Sequence, residues 1–362
     1  MAKSSKTYEL MLKIGAKQDS SLKKACADAD KNLAKLNKSA KAVGKVAIAA
    51  TGAAAAAVAT AGVAAVKSGI DYQKQLANVS TLLTGTEAEI SARTAEIGKG
   101  ILKVSNDTGV ETANLTDGMY QVISAFGDST DTMSILETSA KAAAAGNATT
   151  TDSVNLLSAV MKGYNDVSAE SAQKTADLSF ATVRLGQTSF SELASSIGKV
   201  VPLSSALGIQ QEELYGVFAT LTGVTGSTAE VATQYKAVLS GLMTPSKSMS
   251  ASLKKLGFST ADAAIKSLGF QGTLEALKGT VHGDEQAMAK LFSSTEAQTA
   301  VLAMCGAQSE NLTSKTAEMY TATGAANAAF EKQTDTLDYD IQMIKNLGSN
   351  FLTEIEPKSF RM

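Results

Sequence analysis

Tryptophan is absent from the chain, and proline occurs only at Pro202, Pro245 and Pro357. Aromatic residues are 5% of its 362 residues, while alanine, serine and threonine fill the space between leucines and valines. Sheets draw on aromatic and β-branched side chains, so this composition favours helices. Two isolated cysteines, Cys26 and Cys305, exclude a disulfide framework and a cysteine-built metal site. Their isolation suits an intracellular product and a packing role. The single histidine, His282 in TVHGDEQ, has neither a second histidine nor a nearby cysteine, so no triad or paired-histidine metal site is recognisable. A surface position in a turn is expected for it. The Gly-Lys pairs Gly44-Lys45, Gly98-Lys99 and Gly198-Lys199 are never followed by Ser or Thr, which excludes the standard phosphate cradle. Adjacent carboxylates, Glu212 with Glu213 and Asp284 with Glu285, point apart on a helix and read as solvated faces. The sequence thus supplies no catalytic, cofactor-binding or metal-binding residues, and an enzyme is not expected.

Charge is scarce overall but unevenly spread. The formal net charge is -2, yet residues 1–45 carry eleven lysines against Glu9, Asp19, Asp28 and Asp30, a net of +7 that leaves -9 for the remainder. This basic arm has no arginine and only Tyr8 as an aromatic, so it lacks the bidentate and stacking groups of a sequence-specific nucleic-acid reader. Non-specific attraction to DNA or anionic lipid stays open. Its start, MAKSSKTYEL, does not read as a secretory signal.

Within the arm, alternation at Tyr8, Leu10, Leu12 and Ile14 fits a short strand, and from Leu22 the positions Leu22, Cys26, Ala29, Leu33, Leu36, Ala40 and Val43 follow a 4,3,4,3 spacing. That is a heptad seam, either of a self-associating coil or of one amphipathic helix packed on its own domain. Next comes an uncharged run, VAIAATGAAAAAVATAGVAAV, from Val46 to Val66, of 21 residues including 12 alanines. As a helix it would be roughly 31 Å long, about a bilayer's hydrocarbon thickness. Only Val46, Ile48, Val58, Val63 and Val66 are strongly apolar, so the run fits a marginal transmembrane helix or an alanine-rich packing helix equally.

Beyond Lys67 the pattern is that of a helical globular domain. Leu76, Val79 and Leu83, then Ile90, Ile97, Ile101 and Val104, recur at helical spacings, and Leu115, Met119, Val122 and Phe126, then Val154, Leu157, Val160 and Met161, predict core faces. SNDTG, GDSTD and GNATTTD, at 105–109, 127–131 and 146–152, read as stop and N-cap signals. Gly109 and Val110 precede Leu115 by the same steps as Gly208 and Ile209 precede Leu214, which reads as shared turn chemistry. The expected fold is all-α: a coil-like basic arm (1–45), an Ala-rich apolar helix (46–66), a helical core domain (67–357) and a short end (358–362).

Four segments carry a family resemblance: GIDYQKQLANVSTLLTG after the apolar run, SFSELASSIGKVVPLSSALGIQQEELYGVFATLTGVTGSTAEVATQYKAVLSGL in the middle, SLKKLGFS, and IQMIKNLGSNFLTEIEP. Residues from about Ile70 to Pro357 resemble the core region of phage tail tape-measure proteins, and the middle segment is the most specific. The resemblance implies a structural protein of a virion, prophage or phage-like particle, assembled in the bacterial cytoplasm and lying in the tail lumen. It implies as partners other copies of the chain, the tail tube and tail-assembly chaperones, with contact to the host inner membrane during DNA ejection. No functional residue transfers, because the shared motif is one of packing and turns. Family members are usually much longer, so the expectation is one part of a longer product, with 358–362 a truncated tail. A membrane-active, pore-forming helical protein is the alternative, resting on the Val46–Val66 run.

Overall fold

Threonine and glutamate three residues apart open the first long helix. Thr86 and Glu89 exchange bonds, the Thr86 backbone N–H donating to Glu89 Oε2 at 2.8 Å, and the same reciprocal cap recurs with Thr149 and Asp152 and with Ser189 and Glu192. Each satisfies N–H groups that a helix start leaves without partners. The computed structural model describes residues 71–355, all within one compact unit.

A helical stretch at 71–80 precedes α1 (Glu87–Thr108), α2 (Thr112–Phe126), α3 (Thr132–Ala145), α4 (Thr150–Gly163) and α5 (Ala169–Leu185). Short α6 (Phe190–Ser196), a 3-10 turn (Ile197–Lys199) and α7 (Val201–Ala206) lead to α8 (Gln211–Leu221) and α9 (Thr228–Met243). Then follow α10 (Lys247–Lys255), α11 (Ala261–Thr280), α12 (Glu285–Ala289), α13 (Thr295–Cys305), α14 (Ser309–Met319), α15 (Ala325–Thr334) and α16 (Leu337–Ile355). The fold is all-α, with no strand among the described residues beyond an isolated bridge between Thr222 and Gly226. Also among the described residues, no helix is long and apolar enough to cross a membrane.

The expected stop signals close these helices. Gly109 ends α1 in the left-handed region (φ 67°), with its N–H on Ser105 O at 2.9 Å. Asn147 (φ 49°), within an expected signal, and Asn165 (φ 57°), outside those signals, end α3 and α4 in the same region, each followed by an N–H that reaches five residues back, Ala148 to Ala143 O and Asp166 to Met161 O. Gly208 (φ 78°) closes α7 in this way, and α8 begins three residues on, as α2 does after Gly109. Leu115 and Leu214 are then both fully buried, so the sequence echo is shared turn chemistry.

Two apolar clusters fill the interior. The smaller joins Tyr72 and Val79 to Ile97, Ile101, Leu115 and Met119. The larger surrounds α8, all eleven of whose residues are buried. A helix with no exposed face belongs at the centre, with other helices packed around it. Phe218, Tyr235 and Phe270 meet edge to face there, with ring centroids 6.4 and 5.6 Å apart along the series.

Candidate functional site

A cleft of about 490 Å³ opens beside the first turns of α5 and α8 and the α14–α15 connection, with Asp166, Glu170, Lys174, Asp177, Glu212 and Tyr320 on its walls. Asp177 is only 3% exposed, and its oxygens accept from Gly324 N and Ala326 N at 2.9 Å each and from Gln173 Nε2 at 3.1 Å. It therefore caps the N-terminus of α15 from a distant helix, where the exposed N–H groups and the helix dipole both favour a carboxylate. Glu212 pairs with Lys174 at 2.7 Å.

Glu213 corrects the reading of that carboxylate pair as a solvated face. Glu212 and Glu213 are each 8% exposed. One oxygen of Glu213 accepts from its own helix start, Gln210 N at 3.1 Å, and the other from Phe270 N at 2.6 Å. Phe270 follows Gly269, whose non-helical backbone (φ 75°, ψ 170°) breaks α11 in two. The second half of α11 thus gains its cap from α8, across the core. Asp284 and Glu285, by contrast, are exposed as expected: Asp284 caps α12 through Ala287 N at 3.0 Å, and Glu285 lies 3.5 Å from Lys278.

Lysines serve helix C-termini in the same manner. Lys278 Nζ donates to Cys305 O at the end of α13 at 2.6 Å, and Lys315 Nζ to Ala219 O in the last turn of α8 at 2.8 Å. Burial lowers the Lys315 pKa. Cys305 is buried as expected, and burial pushes its thiol up to about 12, so it is inert at neutral pH. His282 is exposed and holds the left-handed position (φ 59°) that closes α11, with Gly283 N reaching back to Lys278 O at 3.0 Å. Among the described residues no group of His, Cys, Asp and Glu could hold a metal ion. What this arrangement does chemically is fix helix ends to one another.

The last helix attaches by polar groups. Tyr339 donates its hydroxyl to Thr108 O, Asn346 Nδ2 donates to Gly109 O at 2.5 Å, and Asn350 Nδ2 reaches Ser105 Oγ at 2.9 Å and Asn106 Oδ1 at 2.8 Å. All of these acceptors lie at the C-terminal end of α1, where backbone carbonyls lack helical partners. Ile341, Ile344 and Leu347 are instead exposed, at 44, 47 and 40%. The sequence showed neither the distant caps nor this inward polar face. The seam Leu22, Cys26, Leu33, Leu36 and Val43, the run with Val46, Ile48, Val58, Val63 and Val66, the strand at 8–14 and the end beyond Ile355 lie outside the described residues.

Residues 98–306, more than half of the chain, match the family described as phage-related minor tail protein. A probable tape measure protein of Clostridium phage phiCD119 is 24% identical over 305 residues, covering 80% of this chain. The chain spans about a third (32%) of the length of that relative. No solved structure matches.

Proposed function

The chain belongs to the phage-related minor tail protein family, and we propose that within the phage tail it acts as tape-measure material, a scaffold on which the tail tube assembles. The observation that carries this is the similarity to a probable tape measure protein over 80% of the chain. The structure is consistent with it, because the buried charged groups are spent on holding helices together. We accordingly propose a non-enzymatic role, with copies of the chain, tube subunits and tail chaperones as partners in the tail lumen. The division into 1–45, 46–66 and 67–357 is part of the proposal, with the first as a self-association arm through Leu22, Cys26, Leu33, Leu36 and Val43. The run Val46–Val66 serves in contact with the host inner membrane during ejection.

The experiment is an in-frame deletion of the gene in the phage or prophage that carries it, followed by electron microscopy and mass spectrometry of released particles. The proposal expects the product in the tail fraction and no normal tails without it. Normal tails of unchanged length after deletion would overturn the scaffold role.

A further inference from the structure

An amphipathic helix on a globular body normally buries its apolar stripe. In α16 the orientation is reversed: Tyr339, Asn346 and Asn350 face α1, and Ile341, Ile344 and Leu347 face outward. Two of them, Ile341 and Ile344, belong to a longer sequence pattern, since Leu337, Ile341, Ile344, Gly348, Phe351 and Ile355 follow one another at steps of 4, 3, 4, 3 and 4, with Leu347 flanking that seam. This is the spacing that keeps one seam facing a partner helix. The flanking charges select the partner. With Ile341 and Ile344 as adjacent a and d positions, Asp340 takes a g position and Lys345 the e position five residues on. Among the described residues neither makes an ion pair, and Lys345 is exposed. In a parallel, in-register pair of identical helices, g of one strand faces the following e of the other, so Asp340 of each copy would meet Lys345 of its mate. An antiparallel pair would set g against g, and like charges would meet.

We propose that the outer face of α16 is a pairing surface for α16 of a second copy, parallel and in register, through Ile341 and Ile344, with Asp340 and Lys345 fixing the direction. Its polar inner face lets the helix stay anchored to α1 while the apolar face is engaged. The proposal gives the assembly reading a specific contact, but it concerns the purified chain and stands apart from any role in tails.

The test uses the full chain in sedimentation velocity and in cysteine cross-linking. Ile344→Lys should weaken self-association at least about tenfold, because a charge would occupy the seam on both strands. The side chain is exposed and the helix contacts α1 through other residues, so the circular dichroism spectrum should not change. Asp340→Lys should weaken association, and adding Lys345→Asp should restore it. Ile344→Cys in a Cys26→Ser background should form a disulfide between copies at that same position under mild oxidation. An unchanged association constant for Ile344→Lys, or no cross-link from Ile344→Cys, would overturn the pairing. Association abolished only by Leu33→Lys with Leu36→Lys would place the contact in the basic arm, again against α16. Particle incorporation of the Ile344→Lys chain, measured separately, reports on the tail role and not on this contact.

Discussion

Single buried carboxylates here do the work that side chains near a helix start usually do locally. Asp177 holds Gly324 N and Ala326 N at 2.9 Å each, and among the described residues those N–H groups have no other partner. Leaving a buried donor unsatisfied costs about 1–3 kcal/mol, so Asp177→Ala should lower unfolding free energy by about 2–4 kcal/mol in urea titrations. Asp177→Asn, which keeps one acceptor oxygen, should fall between. An Ala variant as stable as the parent would mean that α15 does not depend on this cap. His282 predicts the opposite sign. It occupies a left-handed position (φ 59°) that costs most residues about 1 kcal/mol and glycine little. His282→Gly should therefore be neutral or raise stability by up to about 1 kcal/mol, without affecting assembly into particles. A loss of assembly with the fold intact would give the lone histidine a role that its geometry does not suggest.

At the scale of helices, close approach and acid sensitivity make two further predictions. A Cβ added at Gly216 would lie 2.3 Å from Thr316 Oγ1 and 3.1 Å from Thr316 Cα, so α8 and α14 can pack this closely only because position 216 has no side chain. Gly216→Ala should destabilise by about 1–3 kcal/mol despite the better helix propensity of alanine, and Thr316→Ala should recover part of the loss in a double-mutant cycle. The helix starts at Thr86 and Ser227 contribute to the acid response, beside Asp262, whose carboxyl is likewise lowered, chiefly by a hydrogen bond from the Thr260 side chain. Backbone N–H donation from Thr86 to Glu89 and from Ser227 to Glu230 holds both carboxyls below their ordinary 4.5. A depressed carboxyl pKa contributes stability that is present above the unfolded value and lost as pH falls through the folded one. Unfolding free energy should decline from pH 4.5 downward, and the decline should be shallower in a Glu89→Gln, Glu230→Gln variant. These elements were also the most legible part of the sequence. Gly109, Asn147 and Gly208 stop helices because few other residues accept a positive φ, and Leu115, Met119 and Val160 declared their face by spacing. Glu213 was misread because its partner Phe270 lies 57 residues away, a separation at which local spacing carries no information. The direction faced by α16 was illegible for a related reason: periodicity groups residues on one face without saying which face turns inward.

Across the whole body, the two apolar clusters are joined through shared helices. In α3, Leu136 and Ala140 belong to the smaller cluster and Ile135 and Ala142 to the larger; in α2, Met119 and Ile123 face one and Val122 the other. A helix with buried residues on both sides cannot leave one cluster without opening the other, so 71–355 should unfold in a single cooperative step. Leu136 tests this best, being fully buried in the smaller cluster. Leu136→Ala should cost about 2–5 kcal/mol, the usual range for removing a buried leucine side chain. The discriminating measurement is native-state hydrogen exchange followed by mass spectrometry. If the body is one unit, the slowest amides of α1 and those of α8 should lose the same protection free energy in Leu136→Ala, although Leu136 sits beside α1 in the smaller cluster and α8 centres the larger. If α1 and α2 alone become more open while α8 keeps its parent protection, the smaller cluster is an independent unit. In that event the shared packing of α2 and α3 joins the two clusters in space without coupling their stability.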